Sequence, residues 1–254
     1  MKKFHAIGLG FLASLLAASA GTVYYVSNAG GDDTNSGLGW EQAFKTISNG
    51  VAQAAAGDLV LVTNGTYAIS TEITLNKGVC VRGVPVDGSV VVDGQDTVRC
   101  FNITHADAAV EGLFLTRGNA APENGGAVLM TSGRLSDCYM VSNSANSGGG
   151  IAEVGSGNLT TPTVIENCVI GCNIATNDTT IGGGGGIFLA STRTNVLIQG
   201  CVVYGNVATN QLAAGKYGGM GGGLFSYARG MARDCVFSNN IAVAAVAASI
   251  HGMS

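Results

Sequence analysis

The stretch Gly200-Cys201-Val202-Val203-Tyr204-Gly205-Asn206-Val207-Ala208 decides how this chain is read, because it recurs. It aligns without gaps with Asp137-Cys138-Tyr139-Met140-Val141-Ser142-Asn143-Ser144-Ala145 and with Asn167-Cys168-Val169-Ile170-Gly171-Cys172-Asn173-Ile174-Ala175. The last copy is Asp234-Cys235-Val236-Phe237-Ser238-Asn239-Asn240-Ile241-Ala242. A degenerate copy starts at Gly112-Leu113 and ends at Gly118-Asn119-Ala120. The first positions, 112, 137, 167, 200 and 234, lie 25, 30, 33 and 34 residues apart. A glycine-led tetrapeptide precedes four of the copies: Gly125-Gly126-Ala127-Val128, Gly148-Gly149-Gly150-Ile151, Gly184-Gly185-Gly186-Ile187 and Gly221-Gly222-Gly223-Leu224. A period of this size marks a solenoid, in which a unit buries its apolar face only by stacking on its neighbours.

Each unit holds three short β-favouring runs, for example Gly186–Leu189, Val196–Ile198 and Cys201–Val203. Between the second and third runs stands one residue, Gly112, Asp137, Asn167, Gly200 or Asp234. These types best tolerate a left-handed backbone, so one residue turns the chain without a loop. Three strands and three corners per turn predict an all-β fold, a right-handed parallel β-helix with coils about 4.8 Å apart. Equivalent residues then form ladders. Cys138, Cys168, Cys201 and Cys235 are expected to stack inside as free thiols, since small cysteine fills a core by itself. The coil spacing also lies within the Cα range of a disulfide. Met140, Ile170, Val203 and Phe237 form a second ladder. Asn143, Asn173, Asn206 and Asn240 form a third, at a corner where stacked amides bond to one another and to turn backbone. These asparagines are read as structural. The segments between each asparagine and the next glycine pair lengthen along the chain, and insertions on one edge of a solenoid mark a binding surface.

Composition fits this frame. Glycine numbers 40 of 254 residues, proline 3, and charged residues are 11%. Without a three-residue period or proline this is not collagen, and with 46% hydrophobic residues it is not a disordered linker. Residues 1–20 read as a secretory signal: Lys2 and Lys3, an apolar run from Ile7 to Ala18, and the small-x-small site Ala18-Ser19-Ala20. The apolar run is shorter than the roughly 20 residues needed to span a bilayer. Without Lys2 and Lys3, 10 basic residues face 16 acidic ones. An acidic chain with no basic run excludes nucleic acid and anionic lipid as expected partners. The seven cysteines include no CxxC pair, which argues against zinc.

Residues 21–58 are assigned as an N-terminal cap and 59–254 as coils. In the cap, Thr22–Val26 reads as a strand. Trp40, Phe44, Ile47 and Val51 fall at helical spacing, with Gly57 ending the helix. An amphipathic helix there covers the open end of the solenoid. Asp32, Asp33 and Asn35 offer oxygen ligands to calcium, but the spacing only partly resembles a known calcium loop and a solvated turn is the favoured reading. After Ala242 the pattern calls for another glycine pair and none comes. Ala244–Ser254 is therefore expected to be a minimal cap, or the chain a piece of a longer protein.

Tyr24-Tyr25-Val26-Ser27-Asn28 through Gly37, Phe44-Lys45-Thr46-Ile47, Gly57-Asp58 and Asn64-Gly65-Thr66-Tyr67 resemble the N-terminal region of secreted bacterial parallel β-helix proteins of the pectin-lyase-like superfamily. The glycine tetrapeptides and Phe237-Ser238-Asn239-Asn240 resemble repeats of chlamydial-type polymorphic outer-membrane proteins. The resemblance implies a secreted, surface or outer-membrane location. Its relatives include adhesins as well as polysaccharide lyases and glycoside hydrolases.

An enzyme of that kind needs carboxylates about 5–9.5 Å apart. The only acids aligned in the repeats, Asp137 and Asp234, are three coils or about 14 Å apart. The best remaining cluster is Asp93, Asp96, Arg99, His105, Asp107 and Glu111. The sequence thus points to a non-catalytic adhesion or glycan-binding module with a polysaccharide or cell-surface ligand and no cofactor. A polysaccharide-active enzyme is the alternative.

Overall fold

A computed structural model describes residues 21–84, 89–156, 161–176, 181–190, 194–209 and 217–243. The signal reading of residues 1–20 and the tail after residue 243 lie outside these. Among the described residues the strands form sheets of eight, seven, six, four and two strands. One coil shows the path: Ile151–Glu153 in the six-stranded sheet, Thr163–Glu166 in the eight-stranded sheet, Val169–Gly171 in the seven-stranded sheet and Ile174–Ala175 in the four-stranded sheet. Ile187–Leu189 then returns to the six-stranded sheet, parallel to Ile151–Glu153. The fold is a right-handed parallel β-helix, the hand that parallel crossovers take.

The four-stranded sheet corrects the expectation of three strands per coil. Its strands, Ser144–Ala145, Ile174–Ala175, Val207–Ala208 and Ile241–Ala242, directly follow the asparagine row. They are two residues long, too short to show a period in sequence.

The corners follow the expected chemistry. Gly112, Asp137, Asn167, Gly200 and Asp234 have φ of 66, 55, 52, 61 and 53°. Five residues later Arg117, Ser142, Cys172, Gly205 and Asn239 repeat the left-handed conformation. A third left-handed row, Gly125, Gly148, Gly184 and Gly221, opens the glycine tetrapeptides. Only this row is uniformly glycine, for a steric reason beyond φ. A Cβ on Gly148, Gly184 or Gly221 would overlap the carbonyl oxygen of Ile151, Ile187 or Leu224, whereas one on Gly205 would meet nothing nearer than Cys172 Sγ at 3.6 Å.

Alternate side chains point inward. Leu115, Met140, Ile170 and Val203 form one fully buried ladder. Cys138, Cys168 and Cys201 are buried beside it, and Cys235 is partly buried. All four thiols are free, each donating to the carbonyl two residues earlier at 3.1–3.3 Å. Phe237 continues the Met140 ladder but is 43% exposed, because no described coil covers it.

The cap differs from its sequence reading. Instead of one helix there is a 3-10 turn at Trp40–Gln42 and an α-helix at Ile47–Gln53, separated by extended backbone. Asp33 causes the break: its carboxylate accepts from Lys45 N, Thr46 N and Thr46 Oγ1, each at 2.9 Å. This holds Thr46 extended as the helix N-cap, with its hydroxyl accepting from Asn49 N. The helix ends at Gln53, ahead of Gly57, and the Lys77 ammonium donates to the carbonyls of Val51, Ala52 and Ala54. Trp40 leaves the apolar face, is 46% exposed and packs edge-on against Tyr25. Phe44, Ile47 and Val51 are buried, and Gly50 lies close to the inward-facing Val26 and Val60.

Candidate functional site

The sequence-predicted residues are distributed over separate places. In the N-terminal loop, the Asp32 carboxylate accepts from the Thr34 amide and hydroxyl, which hold its pKa below the ordinary value. Asn35 Nδ2 donates to Ala43 O at 3.0 Å. With Asp33 turned onto Lys45 and Thr46, the loop's side chains serve its own backbone. Among the described residues no group of three or more His, Cys, Asp or Glu is placed to hold a metal ion.

The Asp93–Glu111 cluster divides into four parts. Asp93 and Asp96 both close on Arg117, at 3.0 and 2.9 Å. Arg99 is only 6% exposed and lies elsewhere, joining Glu72 at 2.5 Å, Glu123 at 3.0 Å and the carbonyls of Asn124 and Gly125 at 2.9 Å. It therefore ties three successive coils together beside a cleft of about 240 Å³. His105 Nδ1 accepts from Asp107 N at 3.1 Å at a cleft that also includes Asp58 and Cys80. Burial pushes the Cys80 thiol up to about 11, so it is protonated at neutral pH and is not an activated nucleophile. Glu111 pairs with Arg82 at 2.6 Å. Asp58 and Asp107 share the His105 cleft, where the Asp58 carboxylate accepts from Thr22 N and Ala55 N, each at 2.7 Å.

The asparagine row is a hydrogen-bonded column. The Nδ2 groups of Asn143, Asn173 and Asn206 donate to the next coil's Oδ1 at 2.9–3.0 Å. All four Nδ2 groups also donate to a carbonyl of the preceding coil, those of Leu115, Met140, Ile170 and Val203, at 2.9–3.1 Å. Asn143, Asn173 and Asn206 are 0–2% exposed. Their polar atoms face one another and leave nothing for a ligand. Hydrogen bonding among the stacked thiols of Cys138, Cys168 and Cys201, together with burial, pushes the Cys168 and Cys201 pKa values up.

The outer faces of the two longest sheets differ. On the eight-stranded sheet the outward-facing charges pair with one another. Arg82 meets Glu111, Arg134 meets Glu166, Gln199 donates to Glu166 at 2.6 Å and Arg233 donates to Gln199. On the seven-stranded sheet the outward row is Val91, Phe114, Tyr139, Val169, Val202 and Val236, in continuous register. Tyr139 is 50% exposed and Val236 58%. The Phe114 and Tyr139 rings stack, with centroids 6.0 Å apart and planes 15° apart. They border a cleft of about 380 Å³ together with Val90, Gly112 and Asp137. In the adjacent outward row Tyr204 lies over Gly171, in space that any larger side chain at 171 would fill.

Sequence reading did not single out this row. Its signal is the inward–outward alternation after each cysteine: Cys138 and Met140 point in, Tyr139 and Val141 out. Among the described residues no helix is long and apolar enough to cross a membrane.

No protein-family model and no curated protein matches the sequence. Similar solved structures include a rhamnogalacturonan lyase, 15% identical over 87% of this chain and 69% of that one, with a TM-score of 0.49. A pectate lyase is 14% identical over 88% and 78%, with a TM-score of 0.42. A pectin methylesterase from Aspergillus niger is 11% identical over 90% and 91%, with a TM-score of 0.28.

Proposed function

We propose that this chain is an extracellular β-helix module that binds polysaccharide, without turning it over, along the outer face of its seven-stranded sheet. The observation that carries this reading is the unbroken outward row from Val91 to Val236, with the half-exposed Tyr139 stacked on the partly buried Phe114 at its cleft. Six rungs at about 4.8 Å make a track of about 24 Å. That shape suits an extended polymer better than a compact small molecule. Aromatic faces are electron-rich and pack against C–H-rich surfaces such as sugar rings. The ion pairs of Asp93, Asp96, Glu72 and Glu123 support binding over catalysis. The signal-like residues 1–20 support secretion, and the repeats support a surface or adhesive role.

The test is calorimetry or affinity electrophoresis of the chain against neutral and acidic soluble polysaccharides. Binding is expected, and Tyr139→Ala weakens it about tenfold, the value of one aromatic stacking contact. Release of unsaturated or reducing ends would overturn the non-catalytic reading. Binding unaffected by Tyr139→Ala would overturn the placement of the site.

A further inference from the structure

We infer that the polysaccharide accepted by this face carries no carboxylate, and that the face itself rejects polyuronates; this rests on the polysaccharide reading above. The charges bordering the outward row are mostly of one sign. One border is the corner line that precedes the strands, where Asp137 and Asp234 are exposed. Among the described residues neither forms a salt bridge. The other border carries Asp93 at the end of its strand, with Asp96 and Arg117 beside it. Four carboxylates against two guanidiniums, Arg117 and the exposed Arg233 beside Asp234, leave the track net negative.

Placement makes this consequential. Asp137 lines the same cleft as Phe114 and Tyr139, so a sugar stacked on Tyr139 sits beside a carboxylate. A neutral sugar finds an acceptor there for its hydroxyls, whereas a uronate finds a like charge. Juxtaposed like charges reject a ligand without weakening the contacts that hold the accepted one. At about 0.01 M salt the Debye length is about 30 Å, longer than the track, so all the charges act together; at about 1 M it is about 3 Å and the discrimination disappears.

Backbone geometry supplies a clean variant. Asp137 and Asp234 stand at φ of 55 and 53°, and Asn167 holds the equivalent corner at 52°. Asparagine therefore removes both charges at a position where the fold already uses asparagine.

The experiment compares two polymer pairs that share a backbone and differ in the charge of their substituents, methyl-esterified against de-esterified homogalacturonan and hydroxyethylcellulose against carboxymethylcellulose. Each is titrated against the wild-type chain and the double variant Asp137→Asn/Asp234→Asn, in low and high salt. In low salt the neutral member of a pair that binds is expected to bind about tenfold tighter or more, with the gap closing in high salt. The double variant narrows the gap about threefold to tenfold chiefly by strengthening the acidic polymer, because the asparagine Oδ1 keeps an acceptor for a neutral sugar's hydroxyls. Equal or tighter binding of the acidic polymer in low salt overturns this inference alone, as does a gap the double variant leaves unchanged. Failure of all four polymers to bind overturns the polysaccharide reading, and this inference with it.

Discussion

Two rows of residues run side by side along the same solenoid and have opposite fates. The row Asn143, Asn173, Asn206 and Asn240 is polar and directed inward, and its amides are engaged by neighbouring coils. The row Val91, Phe114, Tyr139, Val169, Val202 and Val236 is apolar and directed outward, and among the described residues nothing covers Tyr139, Val202 or Val236. Polarity alone would assign function to the asparagines and packing to the hydrophobes. Partnering assigns the reverse, because a buried polar group with its bonds made is structural, while an exposed contiguous apolar strip marks a surface for binding.

The largest expected effect that would break this comparison is on the asparagine row. Asn173→Ala removes four buried hydrogen bonds: two donated by Nδ2, to Met140 O and Asn206 Oδ1, and two accepted by Oδ1, from Asn143 N and Nδ2. An unsatisfied buried group costs about 1–3 kcal/mol, so the loss is about 3–6 kcal/mol. That is a large share of a typical domain stability of about 5–15 kcal/mol. Denaturant unfolding reads it directly. A loss below about 1 kcal/mol would mean that the row is free to do something else.

Next in size is Arg99→Met. Arg99 holds Glu72, Glu123 and two carbonyls from a nearly buried position. Glu123 is 74% exposed and regains water when the arginine leaves, but Gly125 O is buried with its partner gone. The expected cost is about 2–4 kcal/mol, measured by urea unfolding, with glycan affinity unchanged in the folded fraction. Lost affinity without lost stability would move the binding site to the Arg99 cleft.

The coil register was legible in sequence because left-handed corners restrict residue choice. Asp137, Asn167, Gly200 and Asp234 share one corner, and each is followed by a cysteine that caps a carbonyl. The fourth strand was not legible, since Ile174–Ala175 is too short for periodicity. Nor was the helix break. Trp40, Phe44, Ile47 and Val51 keep helical spacing, and only the long-range contact from Asp33 shows that Thr46 is extended. Proximity in sequence misplaced Arg99, which lies six residues from Asp93 but pairs with Glu72 and Glu123 on adjacent coils. The outward row was hidden because valine, phenylalanine and tyrosine in a β-favouring run read as core until the cysteine beside them fixes which face is inside.

The smallest expected effect sharpens the comparison most. Tyr139 is 50% exposed and stacks on Phe114 from the preceding coil, and among the described residues its side chain makes no hydrogen bond for the fold to lose. An exposed cross-strand pair contributes about 0.2–1 kcal/mol, so Tyr139→Ala should lower stability by no more than about 1 kcal/mol while binding falls about tenfold. The neighbouring Met140, fully buried one residue later, provides the contrast: truncation there costs about 2–5 kcal/mol through the cavity it opens. If Tyr139→Ala destabilised the chain as much as a core truncation, the outward row would be packing after all, and its exposure would carry no functional meaning. A silent stability profile beside a lost ligand separates the two rows, because no structural role produces that pair of results.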